Sequence, residues 1–105
     1  YRSLREALVH MNRHYAENVR VQDLLAITGF SESKLERTFQ KVFQLAPLQL
    51  LTRIRIQAAM HRLHGPGSIA SIAQACGFGD QSAFTRWFVA LVGMTPSEYR
   101  ALRRD

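Results

Sequence analysis

The chain has 105 residues, 47% of them hydrophobic, which suits one domain or two very small ones sharing an element, with enough apolar material for a core. Fourteen Lys and Arg against eight Asp and Glu give a net charge of +6, a balance that points to a polyanionic partner without choosing between nucleic acid, an anionic membrane surface and simple solubility. The single Cys76 excludes an internal disulfide and a cysteine-rich zinc site, and no apolar run approaches the ~18 residues of a membrane span. The chain therefore reads as soluble and cytoplasmic, with no membrane partner, and its start on Tyr1 reads as that of a segment of something longer.

Ser3 and Glu6 stand at capping-box spacing before a first helix whose Leu4, Leu8, Met11 and Tyr15 recur every three or four residues. Val21 to Thr28 forms a short second helix that breaks at Gly29, and Ser31 is placed to cap a third running to about Phe43. Ala46-Pro47 begins a long fourth helix to about Leu63, with Pro47 at the first position, where a missing N–H costs nothing. The stretch HGPGS, residues 64 to 68, ends it. Ser68 caps a fifth helix over residues 69 to 76, residues 77 to 79 break the chain, and Asp80 caps a sixth to about Val92. Thr95-Pro96-Ser97-Glu98 is a second capping box, introducing a terminal helix through Tyr99 and Leu102.

These elements repeat. Val21, Leu24, Gly29 and Phe30 return 48 residues later as Ile69, Ile72, Gly77 and Phe78, and after the turn the offset becomes 49, so that Ser33, Leu35, Arg37, Phe39 and Pro47 meet Ser82, Phe84, Arg86, Phe88 and Pro96. Each copy is a short helix, a glycine turn and a second helix. The expected fold is all-α, about seven helices in one domain over residues 1–105: a first helix-turn-helix unit (1–46), a linker helix (47–63) and a second unit (68–105). Phe30, Phe39, Phe78, Phe84, Trp87 and Phe88 are expected in the core.

On a helical wheel Leu35, Phe39 and Val42 face inward while Ser33, Glu36, Arg37 and Gln40 face out; in the second copy Phe84, Phe88 and Leu91 share one side, with Trp87 at its margin, and Ser82, Thr85, Arg86 and Val89 take the other. Such helices suit the DNA major groove. Arg donates bidentately to guanine, Gln pairs with adenine, Glu accepts from cytosine, and Ser and Thr adapt.

The run GFGDQSAFTRWFVALVGMTPSEYR, residues 77 to 100, resembles the signature of the AraC/XylS family of bacterial transcription regulators. SIASIAQAC before it, and the first-half pattern V..LL...GFSESKLERTFQKVF with Arg55, Ile56 and Ala59 in the long helix, extend the match over about residues 18 to 100. The resemblance implies two recognition helices entering successive major-groove segments of promoter or operator DNA. It assigns base contact to Ser33, Glu36 and Arg37 in the first unit and to Gln81, Ser82, Thr85 and Arg86 in the second, with Gln40 on the same outward stripe. It also implies an effector acting only through a domain absent from this chain, while RNA polymerase is a candidate partner under the docking reading below. Three positions depart from the family pattern: Gln44 stands where glycine is usual, Leu50 where an aromatic is common, and Ala46 where a capping hydroxyl is expected.

No nucleophile, base and orienting group cluster in the sequence and no phosphate-binding glycine loop occurs, so neither catalysis nor a cofactor is expected. His10 with His14 and His61 with His64 have metal-pair spacing but no third ligand, so no metal is expected either. Arg53, Arg55 and Arg62 offer phosphate contacts or cover the long helix, and Arg100, Arg103 and Arg104 favour the last helix's C-terminus. The rival reading is a helical module that docks on polymerase or a partner domain; RNA binding is a third, disfavoured because the aromatics lie at core spacing.

Overall fold

A computed structural model describes residues 1–104, and side chains through residue 102. The described residues form seven helices and no strand: α1 Arg2–His14, α2 Val21–Thr28, α3 Glu32–Phe43, α4 Pro47–Arg62, α5 Ile69–Ala75, α6 Gln81–Val92 and α7 Pro96–Arg104. The chain divides into two compact units, Tyr1–Ile54 and Arg55–Asp105, with the division inside α4. None of these helices is long and apolar enough to cross a membrane.

Side-chain caps set where the helices of both copies begin. Ser31 Oγ accepts from the Lys34 N–H (3.2 Å), Ser68 Oγ from the Ser71 N–H (3.0 Å) and Asp80 Oδ1 from the Ala83 N–H (2.7 Å), each satisfying a donor that a helix start leaves unpaired. Before α7 the box closes reciprocally: the Thr95 N–H donates to Glu98 Oε1 (2.8 Å) and the Glu98 N–H to Thr95 Oγ1 (3.1 Å). These bonds hold the Glu98 carboxyl below its usual range. At the matching start of α4 only half of that box exists, because Ala46 has no hydroxyl; its N–H donates to Gln49 Oε1 (2.8 Å). The Ser3–Glu6 box does not form. The Arg5 N–H bonds the Tyr1 carbonyl (3.0 Å), so α1 opens at Arg2, and Ser3 is already helical.

Gln44 closes α3 in the left-handed region (φ 55°, ψ 30°), donating its N–H to the Gln40 carbonyl, just as Gly93 closes α6 at φ 93° with a bond to Val89. The departure from glycine therefore leaves the turn intact and stores strain in it, of about 1 kcal/mol for a residue with a Cβ.

In the first unit Leu4, Ala7 and Met11 of α1, Leu24 of α2, Leu35 and Phe39 of α3 and Leu51 of α4 form the core. Thr28, buried at the end of α2, donates its hydroxyl to the Leu24 carbonyl (2.8 Å) and accepts from the Phe30 N–H (3.2 Å), which ties the turn to the helix. Cys76 holds that place in the second copy. It is fully buried, and burial pushes its thiol above the usual range, partly offset by the Arg62 charge.

The second unit buries Ile56, Ala59, Leu63, Ile72, Ala73, Phe78, Phe84 and Phe88. Phe78, Phe84, Phe88 and Tyr99 form a chain of rings whose centroids are 5.2, 5.6 and 5.7 Å apart. Trp87 is not part of this core: it is 46% exposed. The buried line of α6 runs through Phe84 and Phe88, and Trp87, about 100° back from Phe88 around the helix, falls at its edge. Leu91 and, in α3, Val42 share this marginal position and are 36% and 39% exposed. Phe30 is half-buried against the first core.

Arg100 does more than complement a helix dipole. Its guanidinium donates to the carbonyls of Leu63 (3.3 Å), Gly65 (3.2 Å) and Gly67 (2.7 Å), clasping the chain between α4 and α5. The side chains of Arg103 and Arg104 lie outside those described.

Stability measurements on three positions, Gln44, Gly93 and Arg100, check these interactions. In chemical denaturation Gln44→Gly is expected to stabilise by roughly 0.5 to 1 kcal/mol, because relief of strain exceeds the added freedom of the unfolded chain. Gly93→Ala is expected to cost about 1 kcal/mol from backbone strain alone, since a Cβ there meets nothing within 4 Å. Arg100→Ala is expected to cost about 2 to 3 kcal/mol, and Arg100→Lys not to restore it, because a single ammonium cannot reproduce the fork that reaches three carbonyls.

Candidate nucleic-acid interface

Leu35 and Phe39 on α3, and Phe84 and Phe88 on α6, are wholly buried, and each pair at four-residue spacing fixes the rotation of its helix. The opposite stripes are thereby turned to solvent. Ser33, Glu36, Arg37 and Gln40 are exposed on α3; Gln81, Ser82 and Arg86 are exposed on α6, and Thr85 is half-buried. In the first unit Ser33, Glu36 and Arg37 line a shallow hollow with Val21 and Glu32, while Gln40 lies outside it. In the second, Gln81, Ser82 and Thr85 line a hollow of their own, beyond which Arg86 projects.

The polar atoms of these stripes are lightly committed. Arg37 donates Nε to the Ser33 carbonyl one turn earlier (3.3 Å), which lays its side chain along α3. It makes no pair with Glu36. Asp80 performs the capping at the start of α6, so the Gln81 carboxamide is not used for it. Lys34 turns away from the stripe to stand over the Phe30 ring, 4.4 Å from its centroid.

The 49-residue register also adds Val89, which the sequence placed on the outward side of α6 but left out of the assigned base contacts. Val89 takes the place of Gln40 and is 41% exposed on the stripe of Ser82 and Arg86. The signal was available in the repeat, which aligns the two positions. A small apolar side chain there is suited to the thymine methyl group.

On the long helix Arg53 and Arg62 are exposed, whereas Arg55 is half-buried and desolvation lowers its guanidinium from the usual value. His10 and His14 stack at 4.7 Å between ring centroids, and His14 Nδ1 lies 2.7 Å from Glu17. Among the described residues no three His, Cys, Asp or Glu side chains are placed to hold a metal ion.

A family model described as a helix-turn-helix domain matches residues 24–102. A putative AraC-like transcription regulator of Streptomyces lividans is 37% identical over 95 residues, covering 90% of this chain and 31% of its own length. The chain belongs to the AraC-type helix-turn-helix family. It spans about a third of the length of the curated relatives it matches; the transcriptional activator RhaS of Enterobacter sp. is another, 31% identical over 92% of this chain and 35% of its own. Among solved structures, an AraC-type transcriptional regulator from Chromobacterium violaceum superposes with a TM-score of 0.91 at 29% identity, covering 97% of this chain and 92% of that one. The DNA-binding domain of the global transcriptional factor AdpA, solved in complex with a target DNA, superposes at 0.90 with 30% identity over 97% of this chain and 93% of that one. These AraC-type relatives are transcription regulators, not enzymes.

Trp87 is the chain's one tryptophan, and its exposure has a direct readout. Its fluorescence is expected to be red-shifted and readily quenched by iodide in the native protein; a blue-shifted, unquenched emission would return it to the core.

Proposed function

We propose that this chain is the DNA-binding domain of a bacterial transcription regulator, recognising double-stranded DNA sequence-specifically through α3 and α6, which read successive major-groove segments. The observation that carries the reading is the duplication: two capped helices, each anchored by a buried pair, present polar stripes in the same register. The likeness to AdpA, whose DNA-binding domain was solved on its target, supports it. Ser33, Glu36, Arg37 and Gln40 form the first reading surface, and Gln81, Ser82, Thr85 and Arg86 the second. On this reading residues 1–46 and 68–105 are the two heads and residues 47–63 the linker. Arginines supply the sequence-independent attraction by displacing counterions from phosphates, so affinity falls steeply with salt.

A second reading, docking on polymerase or a partner domain, is favoured by the exposed Trp87 and Leu91 on the flank of α6. An effector, on either reading, acts through a domain outside this chain.

Selection of duplexes from a random library, run in parallel on the wild type, Arg37→Ala and Arg86→Ala, tests the proposal. The wild type is expected to select two short motifs about one DNA turn apart, ~34 Å. Each variant is expected to lose about 1 to 3 kcal/mol and to blur a different motif. Equal loss on every sequence would reduce these arginines to phosphate contacts, and binding insensitive to salt would favour docking.

A further inference from the structure

Among the described residues four carboxylates accept a hydrogen bond or pair locally, and Glu6, Glu32 and Glu36 do not. Asp23 accepts from the Arg20 N–H, Asp80 from the Ala83 N–H and Glu98 from the Thr95 N–H, while Glu17 pairs with His14. Glu32 sits in the first turn of α3, where the helix dipole favours an anion. Glu6 lies on α1 beside Arg2 and Arg5. Glu36 lies instead on the outward stripe, lining a hollow with Ser33 and Arg37. It stands in the second turn of α3, exposed, with no hydrogen bond or ion pair among the described residues, and the neighbouring guanidinium turns to the Ser33 carbonyl instead. The matching position in the second copy is the neutral Thr85.

A carboxylate at the centre of a surface facing phosphates weakens attraction to every duplex. A specific gain must offset that loss. In the major groove cytosine offers one, because its N4 amino group donates, whereas guanine O6 and N7 and thymine O4 accept. Opposite those acceptors the carboxylate would be desolvated with no donor, a costly state.

We propose that Glu36 is the specificity-determining residue of the first unit, selecting cytosine in the segment read by α3 and rejecting guanine and thymine there. The inference rests on the DNA-binding reading above. On it the two units divide the work: α6, whose stripe carries Arg86 and no carboxylate, supplies affinity, and α3 trades affinity for discrimination.

The test is library selection with the wild type, Glu36→Gln and Glu36→Asp, together with each protein's affinity for an unrelated duplex and its thermal unfolding as a control on folding. The wild type is expected to favour cytosine at one position of one motif by roughly tenfold or more. Glu36→Gln is expected to bind the unrelated duplex a few fold more tightly and to move that position toward adenine, which a carboxamide matches. Glu36→Asp keeps the charge but shortens the arm, so it is expected to weaken the cytosine preference. The inference is overturned if Glu36→Gln selects the same bases as strongly as the wild type. A rise in unrelated binding alone would make Glu36 a general electrostatic brake and would overturn the base-reading role as well. If the folded wild type selects no motif, the DNA-reading proposal itself fails and this inference falls with it.

Discussion

The rotation of α3 and α6 about their own axes is the constraint on which the rest of this molecule depends. A helix turned by 100° would bury a different set of side chains and present another stripe. What prevents this is a pair of fully buried residues four apart on each helix, Leu35 with Phe39 and Phe84 with Phe88. Burying each such side chain contributes about 1.5 to 3 kcal/mol. The rings of the second unit add a directional component, since Phe78, Phe84, Phe88 and Tyr99 meet at tilted and edge-on angles that a rotated helix would lose. The caps complete the constraint from the other end. Ser31 and Asp80 fix where each helix starts, hence which residue is first on the exposed face.

Periodicity and capping chemistry are local, which is why so much of the architecture was legible in the sequence. The seven helices, their breaks at the glycines and proline starts, and the outward stripes follow from spacing alone, and the internal repeat reinforces each assignment. What was missed depended on tertiary placement. Trp87 was expected in the core because it is large and aromatic, yet a helix with a narrow buried line leaves its flanks half in water, as Leu91 and Val42 also show. Arg100 was read as a dipole complement because nothing local reveals that three carbonyls more than thirty residues earlier come within its reach. The Ser3–Glu6 spacing matched a cap, but one backbone bond from Arg5 to Tyr1 was enough to start the helix earlier. The outward stripes were legible as exposure and register. What those stripes contact depends on a partner that the chain does not contain.

The two copies share a scaffold but differ where duplication allows difference. Thr28 and Cys76 occupy one buried position, the first satisfied by two hydrogen bonds and the second needing none. Gln44 and Gly93 close equivalent helices, with strain in one and not the other. Ala46 forms half of the box that Thr95 completes. Each of these departures lies in the first copy or makes it locally more polar, and none breaks the register that aligns the two stripes.

Charge carries the same contrast to the surface. The first unit has eight basic and five acidic residues and the second six and three, so each nets +3. General attraction to a polyanion is therefore shared evenly, and what distinguishes the units is where the charge stands. The α6 stripe holds one arginine among neutral side chains, with its only nearby carboxylate, Asp80, committed to the helix cap. The α3 stripe sets Arg37 between an uncommitted carboxylate and a carboxamide, Glu36 and Gln40. On the proposed reading, equal net charge with unequal patterning lets the two units be drawn to a phosphate backbone with similar force and still tell different bases apart.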